Sequence, residues 1–130
     1  MKTYTLQKTV AQTNLDDLNH VNNVQYLYWV QEMAQLHWES VCEPEWAERY
    51  IWVVRSHHIE YFKPAVLRDV LELTTYVRES AGPISVRIVE FRKAGSPEIT
   101  VSCTTRWCLL DADTFRPLRI PEDLAERFRP

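Results

Sequence analysis

The chain has 130 residues, 45% of them hydrophobic, which suits a folded domain with a real core and excludes a disordered chain. Its 15 Lys and Arg are scattered and are outnumbered by 18 Asp and Glu, so the formal net charge of −3 offers no basic footprint for nucleic acid. No apolar run approaches the about 20 residues of a membrane span, and Met1-Lys2-Thr3-Tyr4 is not expected to open a signal peptide.

In chain order, residues 3–11 alternate weakly and predict a first strand. Asp16-Asp17-Leu18-Asn19-His20-Val21-Asn22-Asn23 follows, with two carboxylates, an imidazole and three amides just ahead of an apolar stretch. That stretch, from His20 to Ser40, has helical periodicity. Gln25, Tyr28, Glu32, Gln35 and Glu39 form one narrow polar stripe, and the rest of the circumference is mostly apolar. A helix of this kind is buried, so a sheet is expected to wrap it.

The second half supplies alternating runs at 51–62, 69–79, 84–92 and 98–110. Leu71, Leu73, Thr75 and Val77 share a face, as do Ile84, Val86 and Ile88, and as do Ile99, Val101, Cys103, Thr105, Trp107 and Leu109. The only two glycines, Gly82 and Gly95, sit in turn-like clusters with Pro83 and Pro97. The reading is an antiparallel meander. Pro121-Glu122-Asp123-Leu124 then starts a short terminal helix. One buried helix with one antiparallel sheet is an α+β architecture, and without a linker or repeat residues 1–130 read as a single domain.

A carboxylate beside a helix N-terminus pairs a base or nucleophile with N–H donors for a developing oxyanion, which suits acyl transfer. The structural alternative is a cap, since Asp and Asn are common at that position. The three cysteines, Cys42, Cys103 and Cys108, are widely spaced and read as reduced thiols of a cytoplasmic protein, with Cys103 and Cys108 on opposite strand faces as packing residues. His57 and His58 are adjacent on a strand, point to opposite faces and cannot chelate one metal together; His37 reads as a packed helix histidine, and Glu32 as a solvated or interface carboxylate. The aromatic residues fill the core or line an acyl or aryl pocket.

The run Asp16-x-x-x-His20-Val21-Asn22-Asn23-x-x-Tyr26-Leu27-x-Trp29 resembles the hotdog-fold acyl-CoA thioesterases typified by 4-hydroxybenzoyl-CoA thioesterase, and shares its His-Val-Asn-Asn core with the acyl-carrier-protein thioesterases. Ile59-Glu60-Tyr61-Phe62-Lys63-Pro64-Ala65, Asp69-Val70-Leu71 and Arg116-Pro117-x-x-Ile120-Pro121 extend the resemblance over almost the whole chain. The resemblance implies a hotdog hydrolase of acyl- or aroyl-CoA without metal or other cofactor. It implies that Asp16 attacks the carbonyl or activates water, that the backbone N–H at Asn23 polarises the carbonyl, and that His20 and Asn22 shape the pocket and orient the acid. Tyr26 is a candidate for contact with the acyl group, and Arg55 and Lys63 for contact with CoA phosphates. A homodimer or homotetramer with shared active sites is also implied. The alternatives are an acyl-binding hotdog module without turnover and a carrier-protein thioesterase. The latter departs from this sequence at Leu18 and Pro64, which stand where that group has polar catalytic residues.

Overall fold

The structure is a computed structural model, and it describes residues 2–129. Strand β1 (Thr3–Thr9) leads through a single 3₁₀ turn (Gln12–Asn14) to helix α1 (Asn23–Val41), short helix α2 (Pro44–Arg49) and strand β2 (Tyr50–Tyr61). Strands β3 (Val70–Ala81), β4 (Ile84–Lys93) and β5 (Ile99–Asp111) follow, then helix α3 (Glu122–Glu126). The strands form one sheet in the order β1-β3-β4-β5-β2, with every neighbouring pair antiparallel.

Only β3, β4 and β5 form a meander. The strand expected to begin that meander, β2, instead pairs with β5 at the far edge, Tyr50 opposite Asp111 and Tyr61 opposite Val101. Its connection to β3 therefore crosses the end of the sheet. Ala65 in that crossing is buried, its carbonyl accepts the Val21 N–H at 2.9 Å, and Arg68 N–H reaches the Val10 carbonyl at 2.9 Å. The crossing thus locks the loop ahead of α1 in place.

Register shifts at Val54/Ser56, Val77/Glu79 and Phe91/Arg92 mark bulges that bend the sheet around α1. Tyr26, Trp29, Val30 and Met33 of α1 pack on Leu71, Leu73, Val89, Phe91, Val101 and Cys103. A second cluster joins Val41, Trp46, Leu109, Ile120, Leu124 and Phe128 at the C-terminal end of the helix. The sheet covers one side of α1, so the wrapping is less complete than the sequence suggests: Val24 is 55% and Tyr28 66% exposed.

The β4 face is also different from the simple expectation. Cross-strand pairing puts Ile88 beside Tyr76 and Thr104, opposite to the side of Val89, Thr75 and Cys103. Arg87, Val89 and Phe91 therefore face the helix. Val86 and Ile88 face outward, yet they are buried by neighbours on the central strand. Gly82 and Gly95 both adopt positive φ in the turns flanking β4, where a Cβ would be strained.

Candidate active site

The loop between the 3₁₀ turn and α1 folds back on itself. Leu15 and Val21 form an antiparallel bridge, and Asp16 N–H donates to the His20 carbonyl at 2.8 Å. Asn19 takes φ 61°, a left-handed conformation that Asn tolerates better than most residues. Inside this turn, Asp16 Oδ1 accepts the Leu18 N–H at 2.9 Å and the His20 N–H at 3.2 Å. The carboxylate is held by backbone amides, and Oδ2 has no protein partner among the described residues. The His20 backbone, not its imidazole, orients the acid.

The turn consumes residues 16–22, so α1 begins at Asn23, later than the periodicity predicts. Asn22 stays extended, and its side chain accepts the Val24 N–H at 2.8 Å. Its carbonyl takes the Gln25 N–H at 2.9 Å. The Asn23 N–H is left without a protein partner among the described residues, as expected for a first-turn amide. Asn22→Ala should lower stability by about 1 kcal/mol, read as a fall in the urea midpoint; an unchanged midpoint would contradict the cap.

Asp16, His20, Asn23, Tyr26 and Lys63 border one cavity of about 390 Å³, together with Leu18, Tyr61, Phe62 and Pro64. Asn22 is engaged in the cap and Arg55 lies elsewhere; neither borders the cavity. Arg55 sits at the β2 bulge with Nη2 3.6 Å from Cys108 Sγ. Lys63 is held by Glu98 at 2.8 Å on the cavity rim. Tyr61 at the end of β2 donates its hydroxyl to the Asn23 carbonyl at 3.2 Å and so ties the edge strand to the helix start. The sequence pattern does not mark Tyr61 and Phe62 as site residues, because only the fold carries the end of β2 to this cavity.

Tyr26 is 2% exposed, and its ring meets Phe91 edge-on at 5.0 Å and Trp29 edge-on at 5.7 Å. Its hydroxyl is buried with no hydrogen-bond partner among the described residues. Burial, with smaller contributions from Asp69 and Tyr61, pushes this phenol up to about 12. It is a neutral donor over the working range and borders the same cavity as Asp16.

Other candidates are engaged elsewhere. Glu32 pairs with Lys8 at 2.6 Å on the exposed side of α1. Asp17 is exposed and does not border the cavity. His57 is hydrogen bonded with Thr105 Oγ1 at 2.7 Å, and burial holds it below the usual imidazole range, while His58 faces Glu60 at 3.5 Å. Among the described residues no group of three or more His, Cys, Asp or Glu converges as a ligand set for a metal ion. No helix among them is long and apolar enough to cross a membrane.

Comparison with known proteins identifies the family. Residues 10–128 match the model of the thioesterase-like superfamily. Long-chain acyl-CoA thioesterase FadM of Escherichia coli is 25% identical over 118 residues, 88% of each chain. Chloroplastic oleoyl-acyl carrier protein thioesterase 1 of Arabidopsis thaliana is 31% identical over 81 residues, but these are 60% of this chain and only 22% of that one. The fold superposes on a mutant 4-hydroxybenzoyl CoA thioesterase, crystallised with 4-hydroxybenzoyl CoA, with a TM-score of 0.86 and 15% identity, covering 99% of this chain and 100% of that one. A five-stranded antiparallel sheet packed on one long helix and a family match over nearly its whole length make this chain a member of the thioesterase-like superfamily, a thioester hydrolase of the hotdog fold.

Proposed function

We propose that this single domain, residues 1–130, hydrolyses acyl- or aroyl-CoA thioesters with Asp16 and the start of α1 as its reacting centre. One observation carries the reading: the Asp16 carboxylate, fixed through Oδ1 by two backbone amides, borders the same cavity as Asn23, whose N–H is unspent. A thioester carbonyl directed at that N–H gains a donor that strengthens as negative charge develops on oxygen. Oδ2 then acts in either of two ways. It takes a proton from a water that attacks the carbonyl carbon, or it attacks that carbon itself; the resulting anhydride is then opened by water. Both routes release CoA thiol and the free acid. His20 and Tyr26 wall the acyl side, and Lys63 stands at the rim for a CoA phosphate.

CoA is favoured over a carrier protein as the leaving group. Leu18 and Pro64 border the cavity, and neither side chain can hold or activate a water. FadM is matched along nearly its full length, whereas the plant carrier-protein enzyme is matched over a fifth of its own. Purified protein should release thiol from at least one short, medium or aromatic acyl-CoA and keep doing so in EDTA. Its kcat/KM for the best acyl group should be higher on CoA than on carrier protein at one ionic strength. Silence across the panel, loss of activity with chelator, or a preference for carrier protein would each overturn the corresponding part of the reading. The free thiols fit the proposed cytoplasmic location.

The site is proposed to be completed by a second copy. β2 has an open outer edge, and Val24, Tyr28, Tyr61 and Phe62 present exposed apolar surface beside the cavity. Light scattering at micromolar concentration should give at least a dimer; a monomer fully active on dilution would contradict it.

A further inference from the structure

A second cavity, of about 520 Å³, lies between the C-terminal half of α1 and the sheet. It is distinct from the Asp16 site within the chain. Trp38, on its wall, is 12 residues beyond Tyr26 on α1, about 18 Å along the axis at 1.5 Å per residue. Trp38, Trp52 and Phe128 give it aromatic walls. Its volume falls in the range of about 300–1,000 Å³ usual for small-molecule clefts.

Its floor is unusual. Arg87, on the inner face of β4, borders the cavity and is 5% exposed. Nη1 donates to His37 Nδ1 at 2.9 Å and to Thr75 Oγ1 at 3.0 Å. A guanidinium only donates, so His37 accepts through Nδ1 as a neutral imidazole, and both partners are uncharged. No carboxylate among the described residues forms an ion pair with Arg87, and neither Nε nor Nη2 has a protein hydrogen bond among them. Its Cζ sits 5.6 Å from the centre of the Phe128 ring. Burial lowers the guanidinium to about 10, so it is still charged at neutral pH. A buried cation whose hydrogen-bond partners among the described residues are all neutral is unfavourable, and an anion would relieve it. A second donor stands in the same wall: Trp107 Nε1 is buried and has no hydrogen-bond partner among the described residues. The two acids at the mouth are engaged elsewhere, Glu43 with Arg127 and Glu39 with Gln35.

We propose that this cavity binds a monocarboxylate with an apolar tail or ring, its carboxylate on Arg87 and within reach of Trp107 Nε1, its apolar part against Trp38, Trp52 and Phe128. A planar carboxylate matches the guanidinium fork and neutralises one buried charge with one. A dianionic phosphate would bury an excess charge among aromatic rings. The proposal is independent of the role of Asp16.

Tryptophan fluorescence reads the site directly, because three tryptophans line it. The probes are octanoate and 1-octanol, equal in chain length and different in charge. Octanoate should quench saturably and bind at least about tenfold more tightly, the yield of one charge-assisted contact. Arg87→Met should erase that preference and leave 1-octanol binding unchanged. Trp107→Phe, which keeps the wall and removes the donor, should weaken octanoate more than 1-octanol and serves even if Arg87→Met does not fold. Asp16→Asn should leave the preference intact. Equal binding of the two probes, no saturable quenching, a preference that survives Arg87→Met, one undiminished in Trp107→Phe, or one that disappears in Asp16→Asn would overturn the proposal.

Discussion

Asp16→Asn should lower kcat by about 10²–10⁴, the usual contribution of a positioned general base, and leave the fold intact. The amide oxygen can still accept the Leu18 and His20 N–H groups that hold Asp16 Oδ1, so the turn survives. What disappears is the anionic Oδ2 that accepts a proton or attacks carbon. Asp17→Asn is the control: the neighbouring acid is exposed and off the cavity, and its change should matter little. Steady-state kinetics on one acyl-CoA, with circular dichroism for the fold, separates the two. Equal losses in both variants, or near-wild-type turnover of Asp16→Asn, would refute the assignment.

Phe91→Ala should be the most damaging single truncation beneath the site. Phe91 is fully buried on the inner face of β4, 5.0 Å from the Tyr26 ring and 6.3 Å from that of Trp29. Removing it leaves a cavity under the first turns of α1, at a cost of about 3–5 kcal/mol. That is a large share of the about 5–15 kcal/mol typical of a domain. Urea unfolding should show the loss as a lower midpoint, with Phe91→Leu much milder. A Phe91→Ala midpoint within experimental error of wild type would mean that the helix does not depend on this contact.

Much of the fold is written in local pattern. The strands fall within about two residues of their expected bounds, because alternation survives along each of them, and β5 runs Ile99–Asp111 against an expected 98–110. The pairing of β2 with β5 is not written there. It joins segments separated by two other strands, and periodicity carries no information on partners. Helix α2 escapes because six residues are too few for a period, although Pro44 at its start and Arg49 at its end are signals in the right places. The inward face of β4 misleads because it carries Ser85 and Arg87 among its apolar residues, and a buried Arg looks like a solvated one until its neighbours are known.

The site divides in the same way. Asp16, His20, Asn23 and Tyr26 lie in one contiguous run, so their grouping is legible, and Lys63 joins them through the β2 crossing. The hydrogen bonds that orient Asp16 come from main-chain amides, which every residue possesses and no side-chain motif announces. The unspent donor at Asn23 follows from the cap at Asn22, whose role is local and structural.

The most direct test of this arrangement is the crystal structure of the Asp16→Asn variant with an uncleaved aroyl-CoA. The thioester carbonyl oxygen should lie about 2.7–3.1 Å from the Asn23 nitrogen, with the residue 16 carboxamide facing the carbonyl carbon and the acyl group against Tyr26. A thioester whose carbonyl points away from Asn23, or one seated in the Arg87 cavity, would contradict the account.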